Sequence, residues 1–185
     1  MSESIKRKAI PTAAIAVALV LIAPAMLSTG AFAQTFTVEA TSTTRTGGLH
    51  FVDTPTLTAV KTDGGATLTA NAVIAGAGTG AGTATLEADV IATVGCITPS
   101  GSNEPRGLQE ASATDTATAP FEPTRQGRAT AEVTIDEITI EDFDFECPSA
   151  NQQETLVGVL EFQNAVLTIE AQTGTITATF PTIDP

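Results

Sequence analysis

Residues 84–96, ATLEADVIATVGC, place an apolar side chain at every second position from Ala84 to Cys96. Polar residues fill most of the positions between them, with Thr85, Glu87 and Thr93 among them. Because successive side chains of a β-strand point to opposite faces, this period of two predicts a long strand with one buried face. The same pattern predicts that Cys96 faces the protein interior.

The period of two recurs through most of residues 34–185, and no window holds an apolar stripe with the helical period of 3.6 residues. Turn-forming residues separate the alternating runs. The predicted strands are 35–40, 49–52, 57–62, 66–75, 84–96, 116–121, 128–140, 155–162, 165–171 and 175–180. Short strands at this spacing predict an all-β fold, an antiparallel β-sandwich of immunoglobulin-like or jelly-roll type, in a single domain of residues 34–185. A β-barrel is the alternative.

Four local features refine this prediction. The turn Asp63-Gly64-Gly65 predicts a hairpin between its flanking strands. Glycine at every second position of 76–82 favours a mobile turn, with a strand that has one bare face as the alternative. The polar composition of Thr98–Asp115 predicts the longest loop, where loop-borne function could lie. A change of phase at Asp136-Glu137 predicts a bulge that returns Ile138 to the interior.

The N-terminus has the three parts of an export signal. Lys6-Arg7-Lys8 is followed by the apolar run Ala13–Ala23 and then by Ala31-Phe32-Ala33, a small-residue cleavage site. We therefore expect residues 1–33 to be a signal peptide and the protein to be secreted. Two alternatives stay open: the apolar segment is kept as a membrane anchor, or the basic cluster marks pilin-type processing.

The chain has two cysteines, Cys96 and Cys147. In an oxidising compartment two thiols pair by default, so we expect a disulfide between them. Closing a loop of this size is worth about 4 kcal/mol in the chain-entropy estimate. A redox or zinc role is disfavoured, because the spacing is not C-x-x-C and one histidine does not complete a zinc ligand set.

Charge and aromatic content exclude several classes of partner. The formal net charge is −13, and the chain has neither Trp nor Tyr. An acidic surface repels nucleic acid phosphates and anionic lipid headgroups, so we expect no nucleic acid partner and no membrane partner after removal of the signal. Tight binding faces usually depend on Trp, Tyr and Arg, so a tight, aromatic-rich binding face is also disfavoured.

The acidic segment that follows the predicted strand 128–140 is a candidate calcium site. Asp142, Asp144 and Glu146 alternate with Phe143 and Phe145, so three carboxylates could share one side of the chain. The spacing D-x-[DN]-x-[DN]-G of a known calcium loop is missing. A solvated acidic edge above two buried phenylalanines explains the same alternation. We therefore expect no cofactor, with calcium as the alternative.

Catalytic sets are missing from the sequence, so we expect no enzyme activity and name no catalytic residue. His50 is the only histidine, and it lies between Leu49 and Phe51 in a predicted strand, without a Gly-x-Ser-x-Gly turn elsewhere. Paired carboxylates could hydrolyse a glycoside, but the aromatic platform that holds a sugar is lacking. A carboxylate hydrolase is therefore a remote alternative.

Two stretches resemble uncharacterised small secreted proteins of fungi and actinobacteria. They are Gly95-Cys96-Ile97-Thr98-Pro99-Ser100-Gly101-Ser102-Asn103-Glu104-Pro105 and Phe145-Glu146-Cys147-Pro148. The shared pattern is a strand ending in Cys, a loop, a Thr-rich hairpin and then Cys-Pro, over roughly residues 84–170. The resemblance implies a secreted β-rich domain with one disulfide and implies no activity.

These observations favour a non-enzymatic secreted or cell-surface protein with a structural or interaction role. One alternative is a calcium-stabilised extracellular ligand-binding module. Another is a filament or pilin-like surface subunit that self-associates by pairing of edge strands, with residues 34–41 or 175–180 as donors.

Overall fold

The computed structural model describes residues 33–62, 65–98, 105–157 and 161–184. The predicted signal peptide lies outside the described residues, except for Ala33. The strands are β1 (Gln34–Glu39), β2 (Ser42–Arg45), β3 (His50–Phe51), β4 (Thr56–Lys61), β5 (Ala66–Ala75), β6 (Gly82–Ile97), β7 (Arg106–Phe121), β8 (Ala129–Ile138), β9 (Gln153–Leu156), β10 (Glu161–Ala171) and β11 (Gly174–Thr179), with a short 3₁₀ helix at Ile140–Asp142. In these ranges no helix is long and apolar enough to cross a membrane.

The strands form two antiparallel sheets. In sheet A, β1 pairs with β4 and β4 with β5, and β5 also pairs with β3 and β8. Sheet B has the order β2, β11, β10, β6, β7, and β9 also pairs with β6. The two sheets pack against each other, which confirms the predicted antiparallel β-sandwich.

The core is formed by the inward faces of both sheets. Along β6 and β8, buried and accessible residues alternate, as the period of two predicts. Within the described ranges no polar or charged side chain is buried. The largest fully buried side chains are those of Leu49, Leu57, Leu68, Ile74, Leu86, Ile135, Ile138, Phe162, Leu167, Ile169 and Ile176. Each contributes about 1.5 to 3 kcal/mol through burial.

Two of the local predictions are confirmed. Strands β4 and β5 pair antiparallel as the predicted hairpin, of whose turn Asp63 and Gly64 lie outside the described residues. In the pairing of β5 with β8, Leu68 faces Ile135 whereas Ala66 faces Ile138, so β8 has one extra residue at this point. This is the predicted bulge, and it buries Ile138.

The predicted loop at Thr98–Asp115 is wrong for most of its length. The 16-residue strand β7 begins at Arg106 and runs antiparallel along β6, while residues 99–104 lie outside the described residues. Its inward face in this segment consists of Ala111, Ala113 and Asp115. Alanine is weakly hydrophobic and is not enriched in strands, so the sequence carries little signal for a strand that the long neighbour β6 imposes.

One further break was also predicted wrongly. The expected end of a strand at Gln163-Asn164 is a bulge inside β10, where Asn164 takes a positive φ of 51°, a conformation that Asn tolerates better than most residues. The segment 76–82, where a mobile turn is expected, forms the crossover from sheet A to sheet B. In this crossover Ala77 is fully buried and its N–H donates to the Gly127 carbonyl at 3.0 Å.

The chain changes sheets between β1 and β2 through Ala40 and a bend at Thr41. The Ala40 N–H donates to the Pro55 carbonyl at 2.9 Å, beside β4 of sheet A. The next N–H, that of Thr41, donates to the Thr179 carbonyl at 2.9 Å, at the end of β11 in sheet B. Two residues therefore join β1, at an edge of sheet A, to β2, at an edge of sheet B.

Candidate functional site

A disulfide joins Cys96 in β6 to Cys147 in the crossover between β8 and β9, with their Cα atoms 5.9 Å apart. This confirms the predicted bond and leaves neither cysteine free. Cys96 is buried, as the alternation in β6 predicts. Disulfides persist in oxidising compartments, so the bond indicates an extracellular type of environment.

A shallow depression lies beside this disulfide. Its described lining includes the side chains of Arg106, Gln109, Glu146 and Gln152. The Gln152 Oε1 atom is buried, and no hydrogen-bond partner for it is found among the described residues. The lining combines one cation, one anion and two amides, so it does not select one class of ligand.

The structure does not bring the three candidate calcium ligands together. The Asp142 carboxylate accepts a hydrogen bond from the Thr139 N–H at 2.7 Å, at the start of the 3₁₀ helix. Phe143 and Phe145 are buried, while Asp144 and Glu146 are exposed. Among the residues that the structure describes, no group of three His, Cys, Asp or Glu side chains could hold a metal ion.

His50 lies in a shallow groove between β2 and β3. Its Nδ1 atom is 3.1 Å from the Gly48 carbonyl oxygen, and its ring is exposed. The described lining of this groove contains Arg45 and Phe51 but no carboxylate. A catalytic imidazole is usually oriented by a carboxylate, and this groove does not supply one.

One carboxylate on the outer face of sheet B is held by two neighbouring strands. The Asp89 Oδ2 atom accepts a hydrogen bond from the Asn164 amide at 2.8 Å, and its Oδ1 atom accepts one from the Thr114 hydroxyl at 2.7 Å. These two bonds, the one from Asn164 first, lower the pKa of Asp89 below its ordinary value of 3.8. The sequence did not reveal this cluster, because its alignment depends on the bulge at Asn164.

We expect Asn164→Gly to raise the pKa of Asp89 towards 3.8, because glycine keeps the positive φ but removes the amide donor. A carboxylate with a lowered pKa stabilises the fold above its ordinary pKa, and this contribution is lost as the pH falls through the lowered value. Carboxyl NMR titration measures the shift. Gln163→Ala is the control, since Gln163 donates to Glu161 instead. An unchanged Asp89 titration in Asn164→Gly would contradict the assignment.

The sheets have two kinds of edge. The shielded edge consists of β7 and β8, which lie against each other across the sandwich. Strand β7 contains Pro120 and a register irregularity near Gly107, and β8 has outward-facing Glu132 and Asp136. Proline, bulges and charges are the devices by which proteins prevent edge pairing.

The open edge consists of β1 and β2 on the other side of the sandwich. Strand β1 pairs with β4 without interruption over all six residues and contains no Pro, Gly or Lys. Its only charged residue is Glu39, and β2 has only Arg45. In the described residues, each of these strands is paired on one side only. The predicted donor at 175–180 is wrong, because β11 is paired on both sides, with β10 and β2.

The direction of the free backbone groups of β1 follows from its neighbour. Because the Ala40 N–H points to the β4 side and the direction alternates along a strand, Thr35, Thr37 and Glu39 point their N–H and C=O groups away from β4. Within the part of the chain that the structure describes, β1 therefore presents a regular set of unpaired backbone donors and acceptors.

A row of threonines crosses the outer face of each sheet and ends at the open edge. The sheet A row is Thr37, Thr58, Thr69 and Thr134, and the sheet B row is Thr44, Thr177, Thr168, Thr85 and Thr118. In the sheet A row the hydroxyl oxygens of Thr37 and Thr58 are 3.0 Å apart, and those of Thr69 and Thr134 are 2.9 Å apart. Cross-strand pairs of this kind stabilise sheets by about 0.2 to 1 kcal/mol each.

Comparison of the chain with protein-family models, with curated proteins and with solved structures finds no match.

Proposed function

We propose that this chain is a non-enzymatic secreted or cell-surface protein with a structural role, which joins other chains by strand addition at its open edge. The observation that supports this most directly is the contrast between the two edges of the sandwich. The shielded edge has a proline, bulges and carboxylates. Strand β1 has no proline, no bulge and a single carboxylate. A protein selected only to stay monomeric has reason to protect both edges.

Strand addition also agrees with the composition. It depends on backbone hydrogen bonds and therefore needs none of the Trp or Tyr side chains that the chain lacks. The predicted signal peptide and the disulfide both favour an extracellular location for this role.

The net charge sets the conditions for assembly. The full chain has a formal net charge of −13, and residues 1–33 contain only four of its charged residues, so the secreted form is also strongly acidic. Its copies repel one another over distances comparable with the Debye length, which is about 8 Å at physiological ionic strength. The open edge itself has only Glu39 and Arg45, so the repulsion is general and not local to the contact. We therefore expect association to strengthen as salt is added.

We expect the secreted protein to associate with increasing concentration in sedimentation velocity, and Thr37→Lys to weaken this association by about tenfold or more, since a tenfold loss needs only about 1.4 kcal/mol. The lysine adds a solvated charge at the centre of the open edge. Thr134→Lys is the matched control, because Thr134 ends the same row at the shielded edge. Equal association of the two variants, or a wild-type protein that stays monomeric at high salt, would contradict the proposal.

A further inference from the structure

We propose that the open edge of sheet A binds a second copy of this chain, with the two β1 strands antiparallel about a two-fold axis at Thr37. This inference rests on the proposed function and names the partner at the same edge. In this arrangement β1 of one molecule pairs with β1 of the other, and the two copies of sheet A become one continuous sheet.

The backbone directions select this register. Only Thr35, Thr37 and Glu39 have backbone groups that point away from β4. When Thr37 faces Thr37 of the second copy, Thr35 faces Glu39 and Glu39 faces Thr35. All three residues then form bonded pairs, with about six backbone hydrogen bonds in total. A shift by two residues in either direction leaves one of the three without a partner inside β1.

The side chains fit the same register. On the outer face, Thr37 beside its symmetry mate extends the sheet A row without interruption across both copies. On the inner face, Phe36 lies opposite Val38, and both are only half-buried in the single chain. Glu39 lies opposite a threonine and not opposite its own copy, so like charges do not meet.

The self-complementary pattern favours a second copy over an unrelated chain. In a two-fold contact the same strand must supply both partners of every residue pair. Strand β1 does so for the backbone hydrogen bonds, for the apolar pair on the inner face, and without bringing like charges together. Strand β2 does not, because its four residues leave fewer bonded pairs and Arg45 lies at its end.

Cysteine cross-linking tests the register. Both natural cysteines are bonded, so an introduced cysteine is the single free thiol. In a bonded antiparallel pair the Cα atoms are about 5.5 Å apart, which suits a disulfide. We expect Thr37→Cys to form covalent dimers under mild oxidation about tenfold faster or more than Thr134→Cys, because pairing raises the effective thiol concentration.

A second pair of variants checks the alignment. Thr35→Cys alone should not cross-link, since the two copies of residue 35 are separated by about 13 Å along the strands. A mixture of Thr35→Cys and Glu39→Cys should give the mixed dimer. A mixed dimer of Thr35→Cys with Thr37→Cys instead would overturn the register.

The outcomes separate this inference from the proposed function. If Thr37→Cys cross-links no faster than Thr134→Cys while Thr37→Lys still blocks association, the second-copy pairing is wrong and another chain or register occupies the open edge. If Thr37→Lys also has no effect, the proposed function fails as well.

Discussion

Removal of the Cys96–Cys147 bond should lower the free energy of unfolding by about 4 kcal/mol. The bond joins residues 51 positions apart, so it closes a long loop in the unfolded chain and restricts its conformational entropy. Domains are typically stable by about 5 to 15 kcal/mol, so the loss is a large share of the total. Urea unfolding of the oxidised and reduced wild-type protein measures it.

The position of Cys147 gives a structural reason to expect the full effect. It lies in the crossover between β8 and β9, which inserts Phe143 and Phe145 into the core but belongs to neither sheet. Ile140 also packs against the core, and the disulfide is the covalent link between this crossover and β6. The double variant Cys96→Ala/Cys147→Ala should lose about as much stability as the reduced protein. A loss under about 1 kcal/mol in both would show that the bond is not a main stabilising element.

Where the sequence predicted the fold correctly, the apolar residues themselves are large enough to reveal the buried face. Leu86, Val90 and Val94 define the inward side of β6. The bulge at Asp136-Glu137 was predictable for the same reason, because isoleucines on both sides of it require burial. Local pattern and tertiary packing agree at these positions.

Where the prediction failed, tertiary pairing decides the structure. Strand β2 contains only Ser, Thr and Arg, yet it is a strand because it pairs with β11. In β7 the partly buried residues that precede Phe121 are alanines and one aspartate, Asp115. The strand forms because it pairs with β6. Neither segment has apolar side chains large enough to produce a period that a sequence pattern can detect.

The candidate site depends on strand order and register, which no single segment encodes. The sequence shows repeated T-x-T spacing. Only the successive pairing of β1 with β4, β4 with β5 and β5 with β8 places Thr37 and Thr134 at opposite ends of one row. It also cannot show that β11 is enclosed while β1 stays at an edge. Only the fold therefore distinguishes the predicted donor strand at 34–41 from the one at 175–180.

Truncation of the core should have a comparably large effect on stability. We expect Phe162→Ala to lower the free energy of unfolding by about 3 to 5 kcal/mol, because it removes a large, fully buried side chain and leaves a cavity in the core. Phe162 lies in β10 opposite Val90 of β6, and its N–H and C=O groups both pair with Ile183, which covers it from the C-terminal segment.

A surface leucine provides the matched control for this effect. Leu108 is 57% exposed on β7, so Leu108→Ala should change stability by no more than about 0.5 kcal/mol. Urea unfolding of both variants with the disulfide intact isolates the packing contribution from that of the covalent link. Similar losses in Phe162→Ala and Leu108→Ala would mean that β10 does not form the centre of the core. A large loss in Phe162→Ala alone assigns that share of the stability to the packing of Phe162 in the core, where β10 pairs with β6.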